Sequence, residues 1–273
     1  MNDFKDRVAY ISGAGGGIGL GIARTLAKRG AKLAIAYIQP DLLESACEEL
    51  RALGADVMAI QLDVADRKAV YAAADRIDDH FGEIHLVFNN AGVGYLGTPL
   101  DQVPDETFDW VVNVNFIGVM SAMKAFVPKL RKHGKGGHIV NTSSMAALVV
   151  EKDWHTGIYS ATKMGVIALS QDMRESLAAE GIGVSAFCVG LVKTNLESNT
   201  GKLQPGASNK IADAPEMLRQ ASMSPDEAGE IVLRGIQNND FYILTHPQQW
   251  PLVARTHEDI HQAFMKSSRE LGV

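Results

Sequence analysis

Two residues able to move a proton lie four positions apart in the sequence, Tyr159 and Lys163. In a helix this spacing places both side chains on one face. A phenol with an ordinary pKa of about 10 is a poor base near neutral pH, but a neighbouring ammonium favours the phenolate and lowers that pKa. The pair therefore predicts a general acid–base in which Lys163 tunes Tyr159. Taken alone, the same spacing also fits a core tyrosine and a solvated lysine.

The first apolar run of the chain ends in a glycine-rich turn, Ser12-Gly13-Ala14-Gly15-Gly16-Gly17-Ile18-Gly19. Residues without a Cβ let backbone N–H groups approach a pyrophosphate at the positive end of a helix. A strand before the turn and a helix after it are the context that dinucleotide binding requires. The turn therefore predicts a dinucleotide site, with the spacing Gly-x3-Gly-x-Gly.

Short apolar runs alternate with amphipathic stretches along most of the chain. Near-continuous apolar runs are typical of parallel strands that are covered on both faces. The predicted strands are residues 7–11, 32–36, 56–61, 84–88, 138–142, 183–188 and 241–245, and the predicted helices are residues 18–29, 41–53, 67–81, 105–131 and 158–179. This alternation predicts an α/β fold, a Rossmann-type doubly wound parallel sheet in three layers, whose ligands bind beyond the carboxyl ends of the strands.

Residues 1–273 are interpreted as a single domain, without an internal repeat or a linker. After residue 190 the alternation breaks, and residues 194–222 predict a substrate-loop segment with a short helix. Ser224, Pro225 and Glu227 carry the signature of a capping box and predict the start of a further helix. Residues 246–273 are predicted to form a C-terminal helical tail.

Further motifs follow in order: Asp63-Val64, Asn89-Asn90-Ala91-Gly92, Asn115, Ser143-Ser144, Tyr159-Ser160-Ala161-Thr162-Lys163 and Val189-Gly190-Leu191-Val192-Lys193-Thr194. Together with the glycine turn they resemble the short-chain dehydrogenase/reductase family from Val8 to Thr194. The chain departs from the family at two points. Val189 stands where the family has proline, and the interval between Ser144 and Tyr159 is longer than is typical. The longer interval leaves Ser143 as the alternative to Ser144 as the catalytic serine.

The resemblance implies an NAD(P)-dependent oxidoreductase that transfers a hydride between the nicotinamide and an alcohol or ketone. It implies Tyr159 as general acid–base, assisted by the positive nicotinamide ring and by Lys163, which also binds the ribose. Ser144 would hold the substrate oxygen, and Asn115 would expose a main-chain carbonyl to a relay water, with a helix-bending polar residue as the alternative. The cofactor-binding residues it implies are Gly13, Gly17, Ile18, Gly19, Tyr37, Asp63, Val64, Asn89, Ala91, Gly92, Tyr159, Lys163, Val192 and Thr194.

The choice between NAD and NADP rests on the end of the second strand, Tyr37-Ile38-Gln39. An acid there accepts from the ribose 2′-hydroxyl and repels a 2′-phosphate, whereas an arginine binds the phosphate. Tyr37 stands where NAD-selective members carry aspartate, and Gly16 and Ile38 stand where NADP-selective members often carry a base. Because Tyr37 and Gln39 can still hydrogen-bond a phosphate, the interpretation leans slightly to NADP.

The predicted substrate residues are Ser144, Tyr95, Trp154 and Leu191. Most groups expected around them are apolar or aromatic, and the sequence suggests no Arg or Lys clamp for a carboxylate or phosphate. We therefore expect a bulky, mostly uncharged secondary alcohol or ketone, aromatic ones included. The stretch Phe241-Tyr242-Ile243-Leu244-Thr245-His246-Pro247 resembles, more weakly, family members that oxidise aryl alcohols, including benzylic dehydrogenases acting on lignin-derived aryl ethers.

Composition and charge argue against several other classes of protein. A net charge of −6 and a pI near 5.8 give no basic surface for nucleic acid. Cys47 and Cys188 are expected to be packing residues, and no His, Cys or acid cluster has the spacing of a metal site. No stretch is expected to cross a bilayer, and the charged start of the chain does not resemble a signal peptide, so the cytoplasm is expected.

Family resemblance implies a homotetramer or homodimer packed through residues 105–131 and 158–179. Besides the hydride-transfer enzyme, two alternatives remain from the sequence. One is a non-catalytic dinucleotide-binding regulatory protein, which a missing tyrosine or lysine would favour, and both are present. The other is a same-fold epimerase or dehydratase, which needs extra groups near the nicotinamide that the sequence does not identify.

Overall fold

The computed structural model of the chain describes residues 3–149, 154–194, 196–206 and 223–272. Among these residues the strands are β1 (Val8–Ser12), β2 (Lys32–Tyr37), β3 (Val57–Gln61), β4 (Leu86–Asn89), β5 (Gly137–Ser144), β6 (Ile182–Val189) and β7 (Tyr242–Leu244). They pair in parallel in the order β3-β2-β1-β4-β5-β6-β7. The predicted doubly wound parallel sheet is confirmed. Its order reverses between β1 and β4, where ligands bind in such sheets.

Helices cover both faces of the sheet. Those that the structure describes are α1 (Gly17–Ala27), α2 (Pro40–Ala52), α3 (Arg67–Phe81), α4 (Asp105–Val112), α5 (Gly118–His133), α6 (Gly157–Leu177), α7 (Leu196–Leu203), α8 (Pro225–Asn238) and α9 (Trp250–Leu271). Successive strand residues point to opposite faces. Ile11 of β1 therefore packs with α1, α2 and α8, whereas Tyr10 packs with α3 and α5 and stacks on Phe126 at 4.3 Å between ring centroids. The continuous apolar runs of the sequence are thus strands buried on both sides.

The predicted single helix over residues 105–131 is wrong in one respect. A π-helical turn, Asn113–Ile117, separates α4 from α5. Inside it, the side chain of Asn115 accepts from the backbone N–H of Val93 and donates to the carbonyl of the same residue, both at 2.8 Å. We attribute the local change of helical pitch to this two-bond clamp on Val93, and such turns are frequent at functional sites.

The expectation that no stretch is long and apolar enough to cross a bilayer is also wrong, as far as length and composition alone are concerned. The helical stretch Asp105–His133 is long and apolar enough to do so. More than half of its most apolar window is nevertheless buried inside the protein, and Phe126 lies in the core against the sheet. The stretch packs as a core helix of this fold.

The capping box predicted at Ser224 is confirmed. The Ser224 hydroxyl accepts from the Glu227 N–H at 3.2 Å, and the Glu227 carboxylate accepts from the Ser224 N–H at 2.8 Å. The box starts α8, which packs on α1 and precedes β7 at the edge of the sheet. Because β7 is parallel to the other strands, it ends at the same carboxyl edge of the sheet, and α9 begins there.

Candidate functional site

A cavity of about 1030 Å³ opens at the carboxyl ends of the central strands. Its walls come from the glycine turn before α1, the ends of β2, β4, β5 and β6, the start of α6, helix α7 and the start of α9. Because parallel strands all end at this edge of the sheet, residues from distant parts of the sequence meet here. The volume and the mixture of apolar walls with few polar groups are typical of a site for organic ligands.

The glycine turn forms one wall of the cavity. Gly13 and Gly17 have φ of 73° and 52°, a conformation that residues with a side chain rarely adopt. A Cβ on Gly13 would lie 2.9 Å from the Cα of Ala91, and one on Gly17 would lie 3.2 Å from the Cβ of Thr194. At Gly16, by contrast, a Cβ would meet nothing within 4 Å.

The α1 N-terminus behind this turn carries no side-chain cap and no acidic residue in its first turn. Its backbone N–H groups and the positive end of the helix dipole therefore face the cavity, where they suit an anion. Gly13, Gly17 and Ile18, three of the predicted cofactor-binding residues, line the cavity. Gly19 does not: it lies beneath the turn, against the carbonyl of Gly13, and so allows the close packing of the turn. The wall fits the pyrophosphate of a dinucleotide.

The end of β2 contributes Tyr37, and the segment after β3 contributes Asp63 and Val64; all three line the cavity. A Cβ on Gly15 would lie 2.5 Å from the ring of Tyr37, which places this ring over the glycine turn. Asp63 is oriented by its own loop, since its carboxylate accepts from the N–H of Ala65 at 2.9 Å. This side of the cavity thus offers a ring and one carboxylate to an adenosine.

The motif Asn89-Asn90-Ala91-Gly92 begins at the last residue of β4, and Asn89 differs from the other three in where its side chain lies. Asn89 is buried in the sheet and donates to the side chain of Asn141 at 2.7 Å, so it does not line the cavity, and its contact with the cofactor stays a prediction. The cavity is lined instead by Asn90, Ala91 and Gly92. Strand alternation accounts for the difference, because adjacent side chains point to opposite faces.

The end of β5 distinguishes the two serines that the sequence left open. The Ser143 hydroxyl donates to the carbonyl of Lys163 at 2.8 Å and is used to hold α6. The Ser144 hydroxyl contacts the carbonyl of Val189 at 3.3 Å. It also hydrogen-bonds the phenol of Tyr159: burial raises the pKa of this phenol, and the hydrogen bond lowers it in part. The geometry therefore favours Ser144 as the serine available to a substrate oxygen.

Tyr159 and Lys163 occupy the first two turns of α6, and both line the cavity. The ammonium of Lys163 lies 5.8 Å from the centroid of the Tyr159 ring and donates to the carbonyl of Thr142 at 2.9 Å. Burial lowers the pKa of Lys163 to about 8. Burial also raises the pKa of Tyr159, so the lowered pKa predicted from the sequence is not found in the protein alone.

Asn115 does not line the cavity with its side chain, which is fully buried. A Cβ on Gly92 would lie 3.1 Å from the Oδ1 of Asn115 and 3.3 Å from the Nζ of Lys163, so the three residues meet at one point. The contact of Asn115 with Val93 described above holds the segment that follows Gly92. Its side chain thus supports the wall behind Lys163, and a role for its main-chain carbonyl remains a prediction.

At the other end of the cavity, Trp154 and Leu191 line the wall as predicted. Tyr95 does not: its side chain is buried beside Val111 and Ile158, because the segment after β4 turns it inward. Val192 and Thr194 line the wall beside the glycine turn. Of the predicted loop at 194–222, residues 195 and 207–222 lie outside the described residues.

The lining residues that sequence reasoning did not single out include Asn90, Lys193, Gln249 and Leu252, whereas the lining residues Leu196, Thr200 and Leu203 fall within the predicted substrate-loop segment at 194–222. Those of α7 form part of the cavity wall, and the Gly94 N–H donates to the Thr200 hydroxyl at 3.0 Å. Gln249 and Leu252 stand at the start of α9. Asn90 and Lys193 lie inside quoted motifs, whereas no motif marks Gln249 and Leu252, because they reach the cavity only through the pairing of β7 with β6.

The cavity therefore combines an anion-binding turn with a hydroxyl, a phenol and an ammonium on neighbouring elements. A family model described as short chain dehydrogenase matches residues 7–204. A C alpha-dehydrogenase from Sphingobium sp. (strain NBRC 103272 / SYK-6) is 34% identical over 257 residues, which cover 91% of this chain and 83% of that protein. The chain belongs to the short-chain dehydrogenase family.

Solved structures agree with this assignment. A short chain dehydrogenase/reductase from Burkholderia phymatum in complex with NAD has a TM-score of 0.87 at 31% identity, covering 96% of this chain and 97% of that one. An alcohol dehydrogenase from the archaeon Thermococcus sibiricus, complexed with 5-hydroxy-NADP, has a TM-score of 0.72 at 27% identity, covering 87% and 95%. This short-chain dehydrogenase is an NAD(P)-dependent oxidoreductase that acts on an alcohol or ketone.

The lowered pKa of Lys163 predicts a pH dependence of stability. Between its folded pKa of about 8 and its unfolded pKa of about 10.4, the unfolded state binds more protons, so this residue makes stability rise with pH. We expect Lys163→Met, which removes the buried ammonium, to lose that rise. Calorimetry of the cofactor-free wild type and the cofactor-free variant from about pH 7 to about pH 10 measures this effect. The Tm of the wild type relative to that of the variant should increase as the pH rises. A constant difference would contradict the assignment.

Proposed function

We propose that this short-chain dehydrogenase interconverts bulky, mostly uncharged secondary alcohols and ketones, aromatic ones included, with Tyr159 as the general acid–base. The observation that carries the proposal is that Ser144, Tyr159 and Lys163 line the same cavity as the glycine turn and a set of mainly apolar side chains. We take the glycine turn as the cofactor end of the cavity and the apolar side chains as its far end.

In this proposal each group of the chain has one task. Bound NAD or NADP supplies or accepts the hydride. In reduction the Tyr159 phenol gives a proton to the ketone oxygen, and in oxidation its phenolate accepts the proton of the alcohol, a role that contributes typically about 10²–10⁴-fold. Ser144 holds the same oxygen and stabilises the negative charge that develops on it. Lys163, beside the phenol, favours its ionised form.

The charges of the cavity support an uncharged substrate. Among the described residues that line it, the ionised side chains are Asp63, Lys163 and Lys193. Lys163 lies beside the catalytic tyrosine, and Asp63 and Lys193 belong to the walls near the glycine turn. The far end is walled by groups such as Leu96, Val149 and Trp154. A carboxylate or phosphate at that end would be desolvated without a partner, which is costly.

The test of this proposal is a panel of matched substrates. Benzylic secondary alcohols and their ketones should be turned over with kcat/KM at least about tenfold above those of analogues bearing a carboxylate at the far end, since burying an unpaired charge costs more than that. Absorbance of the reduced nicotinamide follows both directions with each cofactor. Preference for the carboxylate-bearing compounds would contradict the proposed substrate class.

For the cofactor we propose that NADP is accepted at least as well as NAD. The support is the end of β2, where Tyr37 lines the cavity and no acid stands to repel a 2′-phosphate.

Tyr37→Asp should restore that repulsion and lower kcat/KM with NADP by roughly 10–100-fold while sparing NAD, because like charges in contact cost several kcal/mol. Tyr37→Asn is the control, since asparagine has the shape of aspartate without its charge. The proposal fails if both variants change the NADP to NAD ratio equally.

We further propose a cytoplasmic homodimer or homotetramer, with residues 1–273 as one domain. An apolar groove between α4 and α6, lined by Leu100, Phe108, Phe116 and Ile158 among others, supports packing through these helices. The two cysteines, Cys47 and Cys188, are buried and unpaired, which suits a reducing compartment. Light scattering of the purified protein measures the assembly directly.

A further inference from the structure

The turn Val189–Gly190, at the end of β6, is hydrogen-bonded to hydroxyl groups on both sides. On one side the Ser144 hydroxyl donates to the Val189 carbonyl at 3.3 Å. On the other side the Gly190 N–H donates to the Thr245 hydroxyl at 2.9 Å. Both residues of the turn line the cavity, whereas Thr245 lies behind them after β7 and is buried.

The Thr245 hydroxyl has a second partner, the Nδ1 of His246, at 2.7 Å. Since the hydroxyl oxygen accepts from Gly190, its own proton is free to point at the imidazole. Burial lowers the pKa of His246, which favours the neutral ring that can accept this proton. The ring also packs on the turn, because a Cβ on Gly190 would lie 2.5 Å from Nδ1.

The turn contains no proline, so no ring fixes the φ of either residue. The turn nevertheless provides the carbonyl that Ser144 contacts. A displacement of Gly190 would therefore move Val189, and with it the serine that faces Tyr159.

We propose that Thr245, backed by His246, is a positioning residue that fixes the Val189–Gly190 turn and, through it, Ser144 and the adjoining cavity wall. The proposal rests on the proposed function in that Ser144 is taken as the residue on the substrate oxygen. Neither Thr245 nor His246 touches the reacting atoms.

Two variants separate the hydroxyl from the shape of the side chain. Thr245→Val keeps the shape but leaves the Gly190 N–H without its acceptor, whereas Thr245→Ser keeps the hydroxyl and loses only a methyl group. We expect the valine variant to lose roughly tenfold or more in kcat, with a smaller change in KM, and the serine variant to stay within about threefold of wild type.

A second readout needs neither substrate nor cofactor. Amide hydrogen exchange of the cofactor-free protein, followed at Gly190, should be roughly tenfold faster in Thr245→Val and unchanged in Thr245→Ser. Exchange and kcat that are unchanged in the valine variant would overturn the proposal, as would equal losses in both variants, which indicate packing of the methyl group. If the wild type turned over no substrate of the panel, the proposed function would fail, while the exchange result would still decide this inference.

Discussion

Tyr159→Phe should lower turnover by roughly 10²–10⁴-fold, the usual contribution of a general acid–base. The substitution removes one oxygen and keeps the ring, which packs beside Lys163 in the first turns of α6. Proton transfer at the substrate oxygen is then lost, while the glycine turn and Lys163 stay in place. We therefore expect the affinity for NAD(P) to remain within about threefold of wild type.

Two measurements decide this prediction, initial rates with the best substrate of the panel and fluorescence titration of the cofactor. Thr162→Val is a matched control one turn of helix away, since it also removes a single hydroxyl from α6, one that donates to the carbonyl of Tyr159 at 2.7 Å. A Tyr159→Phe enzyme with wild-type turnover would show that another group moves the proton.

Ser144→Ala should lower kcat by roughly 10²–10³-fold, as the loss of one donor to a developing oxyanion does in other enzymes. Ser143→Ala tests the neighbouring position with the same change. Because the Ser143 hydroxyl donates to the Lys163 carbonyl at 2.8 Å, its loss should lower the Tm, with a smaller loss of kcat than in Ser144→Ala.

The comparison of the two alanine variants uses kcat per folded enzyme together with the Tm of each. The assignment holds if the large loss of kcat follows Ser144. If kcat falls more in Ser143→Ala, the longer interval before Tyr159 has shifted the register, and the catalytic serine is the other one.

The fold could be predicted from the sequence because its signals are local. Continuous apolar runs gave the strands, their alternation with helices gave the parallel sheet, and the Ser224 capping box gave the start of α8. The π-helical turn at Asn115 has no such local signal. It depends on a tertiary contact, the pair of hydrogen bonds with Val93.

The site was predictable where motif residues lie at strand ends and on one helix face. Tyr159, Lys163 and the glycine turn meet in the cavity as the spacing suggested. Motif position alone could not tell Asn89 from Asn90 or turn Tyr95 inward, since these depend on which face of the backbone each side chain takes. The same holds for Ser143 and Ser144.

The residues contributed by the end of the chain could not be foreseen. Gln249 and Leu252 line the cavity, and Thr245 and His246 pack behind the Val189–Gly190 turn, only because β7 pairs with β6. Their functional interest arises from where the fold places them, and a single sequence holds no periodicity or motif that reports it.

The account depends most on Tyr159 being the group that faces the reacting oxygen. A crystal structure of the enzyme with NAD(P) and a ketone that it reduces slowly tests this directly. We predict the hydroxyls of Tyr159 and Ser144 within about 2.6–3.2 Å of the ketone oxygen, with the Lys163 ammonium on the ribose of the cofactor. A ketone oxygen held by other groups, with Tyr159 turned away from it, would contradict the account.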